Sequence, residues 1–427
     1  MNKKIRAFKP AFLAVLLLFV TAYSDLVLAH GERAQQAGLR MRTLNWLDLE
    51  IYPREVKIGE NLTIKGKFIP SEWWPEHMAD IADMAYMNIG VPGPMFVRLH
   101  STVNGVPMIR SSAFEHGKMY EFEIILKART PGSVHVHPVV SVADAGPIIG
   151  PGKWVEIVGD PADFENKVTA LTGEVIDMET VGYSEAVWLN VFWAVIGLAW
   201  ILYWFVRYSP LLMPRFIKIA ELTESGEDPD SIINLGDQIV AFCFFLFTLL
   251  AVAGGYFWGQ YAYPITTTLQ TGKVAVEGLE VPSDINLELI EARYRIPGRS
   301  FRIDVNLTNN AENPVRVGEF LTANIRFINH DVMGDIQPED KQDLIASEGL
   351  RVTGGSDNHG LVLPGETSHI TLFADDAIWE TYRLTSLIYD PDSRFAAMLK
   401  IYEEDGSGSV GKRHLNEVGG PMFPAFR

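Results

Sequence analysis

Residues 187–206 read VWLNVFWAVIGLAWILYWFV, and residues 239–258 read IVAFCFFLFTLLAVAGGYFW. Neither run carries a charge, and each has the length an α-helix needs to cross the hydrocarbon core of a bilayer. Trp188, Trp193, Trp200, Trp204 and Trp258 fall partly where an aromatic belt meets the headgroups. Arg207, Arg215 and Lys218 follow the first run. No Lys or Arg lies between Lys167 and that run, or between the second run and Lys273. The positive-inside rule therefore puts 207–238 in the cytoplasm and both flanks outside. The plain alternative is a pair of buried helices in a soluble core, which charge-free runs this long disfavour.

The N-terminus gives the same topology independently. Lys3, Lys4, Arg6 and Lys9 form a positive n-region, residues 11–20 an apolar core, and Val27-Leu28-Ala29 a small-residue cleavage site. Cleavage after Ala29 makes His30 the first residue of the exported chain. The predicted layout is a signal peptide (1–29), a first exported domain (30–186), spans at 187–206 and 239–258 with a cytoplasmic loop 207–238, and a second exported domain (259–427).

Both exported domains carry the period-2 pattern of strands. In the first, Val56 and Ile58, then Leu62 and Ile64, flank a Gly-Glu-Asn turn, and Tyr120, Phe122, Ile124 and Leu126 alternate with polar positions. In the second, Ile303, Val305 and Leu307 alternate, as do Ile370 and Leu372. Short strands with turn signals predict a β-sandwich in each. The segment from Trp73-Trp74-Pro75 to Met87 reads as an irregular or helical insertion. Gly146 to Trp154 reads as a rigid Gly/Pro loop. A formal net charge of −17 excludes a general nucleic-acid binder. A lone cysteine, Cys243, excludes an intrachain disulfide and a cysteine-based metal cluster.

The strongest chemical signal is a set of three histidines. His135 and His137 stand two apart in Ser-Val-His-Val-His-Pro, so on a strand both imidazoles share one face while Val134 and Val136 face the core. Such a strand suits a ligand site at the edge of a sandwich. His30, once N-terminal, offers its imidazole and its α-amine, which titrates near pH ~8 and yields its proton to a divalent ion. The plain reading is two solvent-facing histidines and a chance residue after the leader. Their joint occurrence in one exported domain without cysteine favours a nitrogen-ligated metal centre of His30, His135 and His137. Copper suits these ligands, and zinc also accepts imidazoles.

Weaker patterns carry less. His77 with Met78, Met84, Met87 and Met95 has the composition of a soft Cu(I) cluster, but methionine more often fills core gaps. His330, His359, His369 and His414 lack tight spacing. Asp375, Asp376, Asp390 and Asp392 could suggest a carboxylate site, but Asp390-Pro391-Asp392 reads better as a turn.

Motifs along nearly the whole chain resemble the B polypeptide of the copper membrane monooxygenases, the particulate methane and ammonia monooxygenase family. They include Ala-His-Gly-Glu-Arg (29–33), Leu-Arg-Met-Arg-Thr (39–43), Pro-Gly-Pro-Met-Phe-Val-Arg (92–98) and the His-Val-His pair. Gly-Pro-Ile-Ile-Gly-Pro-Gly-Lys-Trp (146–154), Tyr-Asp-Pro-Asp-Ser-Arg-Phe (389–395) and Gly-Gly-Pro-Met-Phe-Pro (419–424) extend the match. The resemblance implies a mainly β chain: two cupredoxin-like β-sandwich periplasmic domains joined by a transmembrane helical hairpin. It implies copper on His30, His135 and His137, with no catalytic residue assigned. Asn45 stands where some members carry a further histidine. It also implies assembly with the two other integral membrane polypeptides of the monooxygenase, in a trimer of heterotrimers in the inner or intracytoplasmic membrane. The expected reaction is O₂-dependent hydroxylation of methane or ammonia. The rivals are a polypeptide of a short-chain hydrocarbon monooxygenase, and a membrane-tethered copper or electron-transfer protein without oxygenase activity.

Overall fold

The computed structural model describes residues 37–170, 172–208, 212–228, 235–262, 272–295, 300–334, 336, 344–375, 393–404 and 410–425. The leader, His30 and the aspartates 376, 390 and 392 lie outside the described residues. The chain divides into two compact units, one from the residues up to Phe164 and from Thr271 onward, the other from Glu165–Gln270.

The first unit begins with α1 (Ala37–Met41) and ten strands. These are β1 (Leu44–Tyr52), β2 (Glu55–Lys57), β3 (Asn61–Pro70), β4 (Ala85–Gly90), β5 (Phe96–Val103), β6 (Val106–Pro107), β7 (Tyr120–Ala128), β8 (Gly132–Val142), β9 (Gly146–Ile149) and β10 (Lys153–Val158). They form two sheets, β1-β3-β7-β5-β6 and β2-β10-β8-β4, with β9 also paired to β8. The Gly-Glu-Asn turn carries the chain from one sheet to the other. Apolar side chains at alternate positions pack the sheets face to face. Ile64, Phe68, Phe122 and Ile124 come from one, and Val134, Val136, Val155 and Ile157 from the other. Met87 lies fully buried on strand β4, not in a helical insertion, and Met84 is exposed, so the methionines do not form one cluster.

The second unit holds the hairpin β11 (Lys167–Thr169) and β12 (Val175–Asp177), then α2 (Tyr183–Tyr208), α3 (Leu212–Ser225) and α4 (Leu235–Ala262). Helices α2 and α4 contain the two charge-free runs and are long and apolar enough to cross a membrane. Their most apolar windows are 0% buried, which is not how a soluble core helix sits. The Tyr203 hydroxyl donates to Asp237 Oδ1 at 2.8 Å, fastening one helix to the other.

The chain returns to the first unit at residue 272. Residues 272–281 run along the first sandwich. Lys273 and Leu279 bridge to Ser111 and Met119, and Val276 enters its core. The second sandwich follows: β13 (Ile285–Arg295), β14 (Ser300–Asn309), β15 (Val315–Thr322), β16 (Ile325–Ile328), α5 (His330–Met333), β17 (Leu350–Gly354), β18 (Thr367–Asp375), β19 (Arg394–Glu404), β20 (Val410–Pro421) and β21 (Phe423–Ala425). Its sheets run β17-β18-β14-β13-β21 and β16-β15-β19-β20 around a core that includes Met41 from α1.

The two sandwiches touch through a small apolar cluster of Leu47, Ile69, Leu321 and Met398. Polar clasps surround it. Asn45 Nδ2 donates to Glu417 Oε1 at 2.9 Å, and the backbone N–H of Glu72 to Glu417 Oε2 at 2.8 Å. Asp48, at a bulge in β1 with φ of 49°, receives both guanidinium nitrogens of Arg413 at 3.0 and 2.9 Å. Aspartate tolerates this left-handed backbone better than most residues, and the bulge aims its carboxylate at the other sandwich.

One loop of the second sandwich sets an acid limit. Burial raises the pKa of Asp357, but the Arg316 hydrogen bond and the backbone N–H groups of His359 and Leu361 outweigh it and bring it down to about 2. A depressed carboxylate stabilises the fold above its unfolded pKa near 3.8, and that contribution disappears as pH falls through about 2. The expected loss is on the order of 1 kcal/mol after solvent screening. Unfolding midpoints between pH 5 and 2 should show it, and Asp357→Asn should flatten that part of the curve.

Candidate metal centre

Strand β8 (GSVHVHPVVSV) positions the imidazole pair. Val134 and Val136 are buried in the core, and His135 and His137 leave the opposite face. That face is not open at His137, which is only 5% exposed. Strand β8 has neighbours on both sides. It pairs with β10 through residues 132–136, with β9 through 139–142 and with β4 through 137–142. The sheet has a gap on one side of β8. β9 and β10 run along the same side of β8 but are separated by Gly150-Pro151-Gly152, so ladder pairing lapses opposite His137. Pro138 has no N–H to give, but its carbonyl accepts from Gly150 N at 2.9 Å. His137 stands opposite that lapse, and His135, paired with Trp154, stands beside it on the same face.

His137 Nδ1 lies 2.8 Å from the Gly150 carbonyl. A carbonyl only accepts, so this nitrogen carries the proton, and His137 Nε2 presents a lone pair. That Nε2 is 2.6 Å from His135 Nδ1, with ring centroids 4.3 Å apart at 78°. The His135 ring also packs on Trp154, its cross-strand partner, at 5.3 Å between centroids. With His137 Nε2 an acceptor, His135 Nδ1 donates to it; once that proton is lost, the two nitrogens need to part only slightly to take neighbouring positions on one small cation, which lie about 2.8 Å apart at bonds of about 2.0 Å. The Gly150 carbonyl is the outer partner that fixes tautomer and ring orientation in such sites.

Two glycines make the arrangement possible. A Cβ at Gly152 would stand 2.5 Å from His137 Cε1 and Nδ1 and 2.8 Å from His135 Cε1. One at Gly150 would stand 2.8 Å from the Trp46 ring and 2.9 Å from Pro138. The Gly/Pro stretch is therefore the lid over the imidazoles, and two of its segments are strand. The structure thus brings His135 and His137 together, while His30 lies outside the described residues.

Spacing alone missed a second group. Asp284, Glu403 and His414 place ligand-type atoms within 4.8 Å of one another. His414 is fully buried, with Nε2 2.8 Å from Glu403 Oε1, and Lys412 reaches Asp284 at 2.7 Å. Asn313 donates to Glu403 Oε2 at 2.8 Å; that bond, together with His414, holds the Glu403 carboxyl below its usual range. Partners this complete describe an ion-pair network within the second sandwich.

A two-sandwich β protein with a paired-imidazole centre and two helices able to cross a membrane is the class this structure defines. The chain belongs to the Monooxygenase_B family, the B-type polypeptides of monooxygenases, whose sequence profile matches residues 31–426. It is 41% identical over 408 residues to the particulate methane monooxygenase alpha subunit of Methylococcus capsulatus (Bath), covering 95% of this chain and 94% of that one. Among solved structures, the cupredoxin domain of amoB from Nitrosocaldus yellowstonii matches at 12% identity and a TM-score of 0.23, over 31% of this chain and 98% of that one. The adhesin InvE of Yersinia pseudotuberculosis matches at 6% identity and a TM-score of 0.17, over 90% of this chain and 59% of that one. Likenesses this slight do not define the fold.

Proposed function

We propose that this chain is the polypeptide that holds a copper centre beside the membrane in a multisubunit, O₂-dependent monooxygenase. Its substrate would be methane, giving methanol, or ammonia, giving hydroxylamine. The observation that carries the reading is the convergence of His135 Nδ1 and His137 Nε2 in a chain of this family. His30, with its imidazole and α-amine, is the third proposed ligand. Nitrogen donors without thiolate suit copper among the available transition metals. Bound there, copper would supply one-electron redox chemistry and a ligand position for small molecules.

The chain's own residues do the positioning. The Gly150 carbonyl holds the proton on His137 Nδ1, which keeps Nε2 available. Trp154 fixes the plane of His135. Gly152 leaves the space both rings occupy. None of these groups moves a proton to substrate, so the centre is assigned as metal-binding and no catalytic residue is named. Apolar surface on α2 and α4 supports a membrane-spanning hairpin, with both β-sandwiches outside as cupredoxin-like periplasmic domains after cleavage at Ala29. Two further integral membrane polypeptides, in a trimer of heterotrimers, complete the proposed assembly.

The test uses the native membrane complex. Copper per chain and product formation from labelled methane and labelled ammonia are measured for the parent and for His137→Ala. The expected result is loss of at least about tenfold in copper retention by this chain, since an imidazole ligand is removed. Copper content unchanged by both His135→Ala and His137→Ala would remove the site. An intact mass beginning before His30 would remove the amine ligand.

A further inference from the structure

Between the two long helices lies a third, α3 (Leu212–Ser225), in which the proposed copper centre has no part. Lys218, Glu221 and Ser225 stand three and four residues apart, so they form one polar stripe along it, and all three are exposed. By the same period the positions opposite that stripe are 212, 216, 219, 220 and 223, which the sequence fills with Leu, Phe, Ile, Ala and Thr. Ile217 and Ile219 are 51% and 40% exposed, so the described chain leaves them largely open. A short helix that is apolar over most of its circumference needs a partner for that surface. We propose that α3 lies flat in the lipid surface, its polar stripe toward water and its apolar arc among headgroups and upper acyl chains. The inference rests on the membrane-spanning hairpin proposed for α2 and α4.

Chain length names the bilayer as the occupant. Helix α2 ends at Tyr208 and α3 begins at Leu212, and four Cα steps reach about 14 Å at most. The first turn of α3 is therefore held close to the headgroup layer into which α2 emerges. The chain enters the second span again at Leu235, so both ends of α3 are tethered to the same surface. A helix lying in that plane sinks its apolar face about 5–10 Å into the boundary between headgroups and acyl chains. Charge does not hold it there. Residues 207–234 contain three basic and five acidic residues, so an anionic surface has no net attraction for this loop. Burial of apolar side chains supplies the attraction instead. Such a helix fixes the depth of the hairpin. Neither span can slide along the membrane normal without drawing apolar side chains into water or the polar stripe into hydrocarbon.

The test uses the intact complex in lipid nanodiscs. The lone native cysteine is removed as Cys243→Ala, and a nitroxide is attached to Ile219→Cys or to Glu221→Cys. Oxygen, which concentrates in hydrocarbon, and a water-soluble nickel chelate serve as relaxing agents. The label at position 219 is expected to respond mainly to oxygen, and the label at 221 mainly to the chelate. Extended over residues 217–225, the ratio of the two responses should oscillate with a period of about 3.6 residues. The pattern should be the same in zwitterionic and in anionic lipid. A label at 219 open to the chelate would put α3 in water, and one shielded from both agents would put it against protein. A lipid seat found only with anionic lipid would make charge its cause. Each of these would overturn the proposal. Sidedness tests the underlying hairpin separately. In sealed membrane vesicles, an impermeant maleimide should reach Glu221→Cys only from the face opposite the β-sandwiches. Labelling from the sandwich face would overturn the hairpin and the inference with it, whereas nanodiscs, open on both faces, read the lipid seat alone.

Discussion

Gly152→Ala is expected to weaken copper binding at the proposed centre while leaving the chain folded. The added methyl would stand 2.5 Å from two atoms of the His137 ring and 2.8 Å from His135 Cε1, and carbon atoms do not approach that closely. Neither ring can yield cheaply. His137 is 5% exposed and tied to the Gly150 carbonyl, and His135 is packed on Trp154. Whatever gives way, the 2.6 Å approach of the two nitrogens is lost. Outer-shell changes at metal sites typically reduce affinity by about 10- to 100-fold, which sets the expected effect. Overpacking adds a stability loss of about 1–3 kcal/mol. Competition with a chelator measures the first and thermal unfolding the second. Gly254→Ala, which meets nothing within 4 Å, is the control. Undiminished copper affinity in Gly152→Ala would show that the rings are freer than this packing allows.

Glu319→Ala is expected to be the most destabilising single change in the second sandwich. The side chain is 1% exposed and accepts Arg326 through both oxygens, at 2.8 and 2.9 Å, and Lys400 at 2.9 Å. Burial alone would raise its pKa, but Arg326 and Lys400 prevail and hold the carboxyl below its usual range, hence ionised. Without it Lys400, only 7% exposed, loses the carboxylate that answers its charge. Breaking a buried pair from one side costs about 3–5 kcal/mol. Chemical unfolding of the purified chain reads this directly, and Glu319→Ala combined with Lys400→Met should recover part of it. A loss under about 1 kcal/mol would mean that water reaches the carboxylate's partners.

Much of this was legible in the sequence, and what was not has a common cause. Tyr120 to Leu126 and Ile303 to Leu307 announced strands because burial on one face imposes a period of two on the residues themselves. Residues 187–206 and 239–258 announced helices because each is a run of twenty uncharged, mostly apolar residues, and the structure makes each a helix long and apolar enough to cross a membrane. The His-x-His pair was visible because both imidazoles sit on one strand. The lid was not. The need for glycine at position 152 comes from rings 15 and 17 residues earlier, which are neighbours only after β10 pairs with β8. The same holds for His414, which finds Glu403 and Asp284 across strands, and for Glu319 with Lys400. The placement of β8 inside its sheet also escaped, because a gap in a ladder is a property of three strands and not of one.

Residues 272–281 carry a consequence for biosynthesis. Val276 completes the first core, and Met41 from the N-terminal end completes the second. Neither sandwich can close on the part of the chain synthesised before the helices. The first sandwich's interior is complete only once Val274 and Val276, which follow both helices in the sequence, have been made. On the proposed membrane-spanning hairpin, the returning segment reaches it only if the chain makes an even number of crossings. In that arrangement, insertion of one helix alone would leave Val276 across the membrane from the core it fills. On that proposal, the first core is complete only in a chain that has crossed twice.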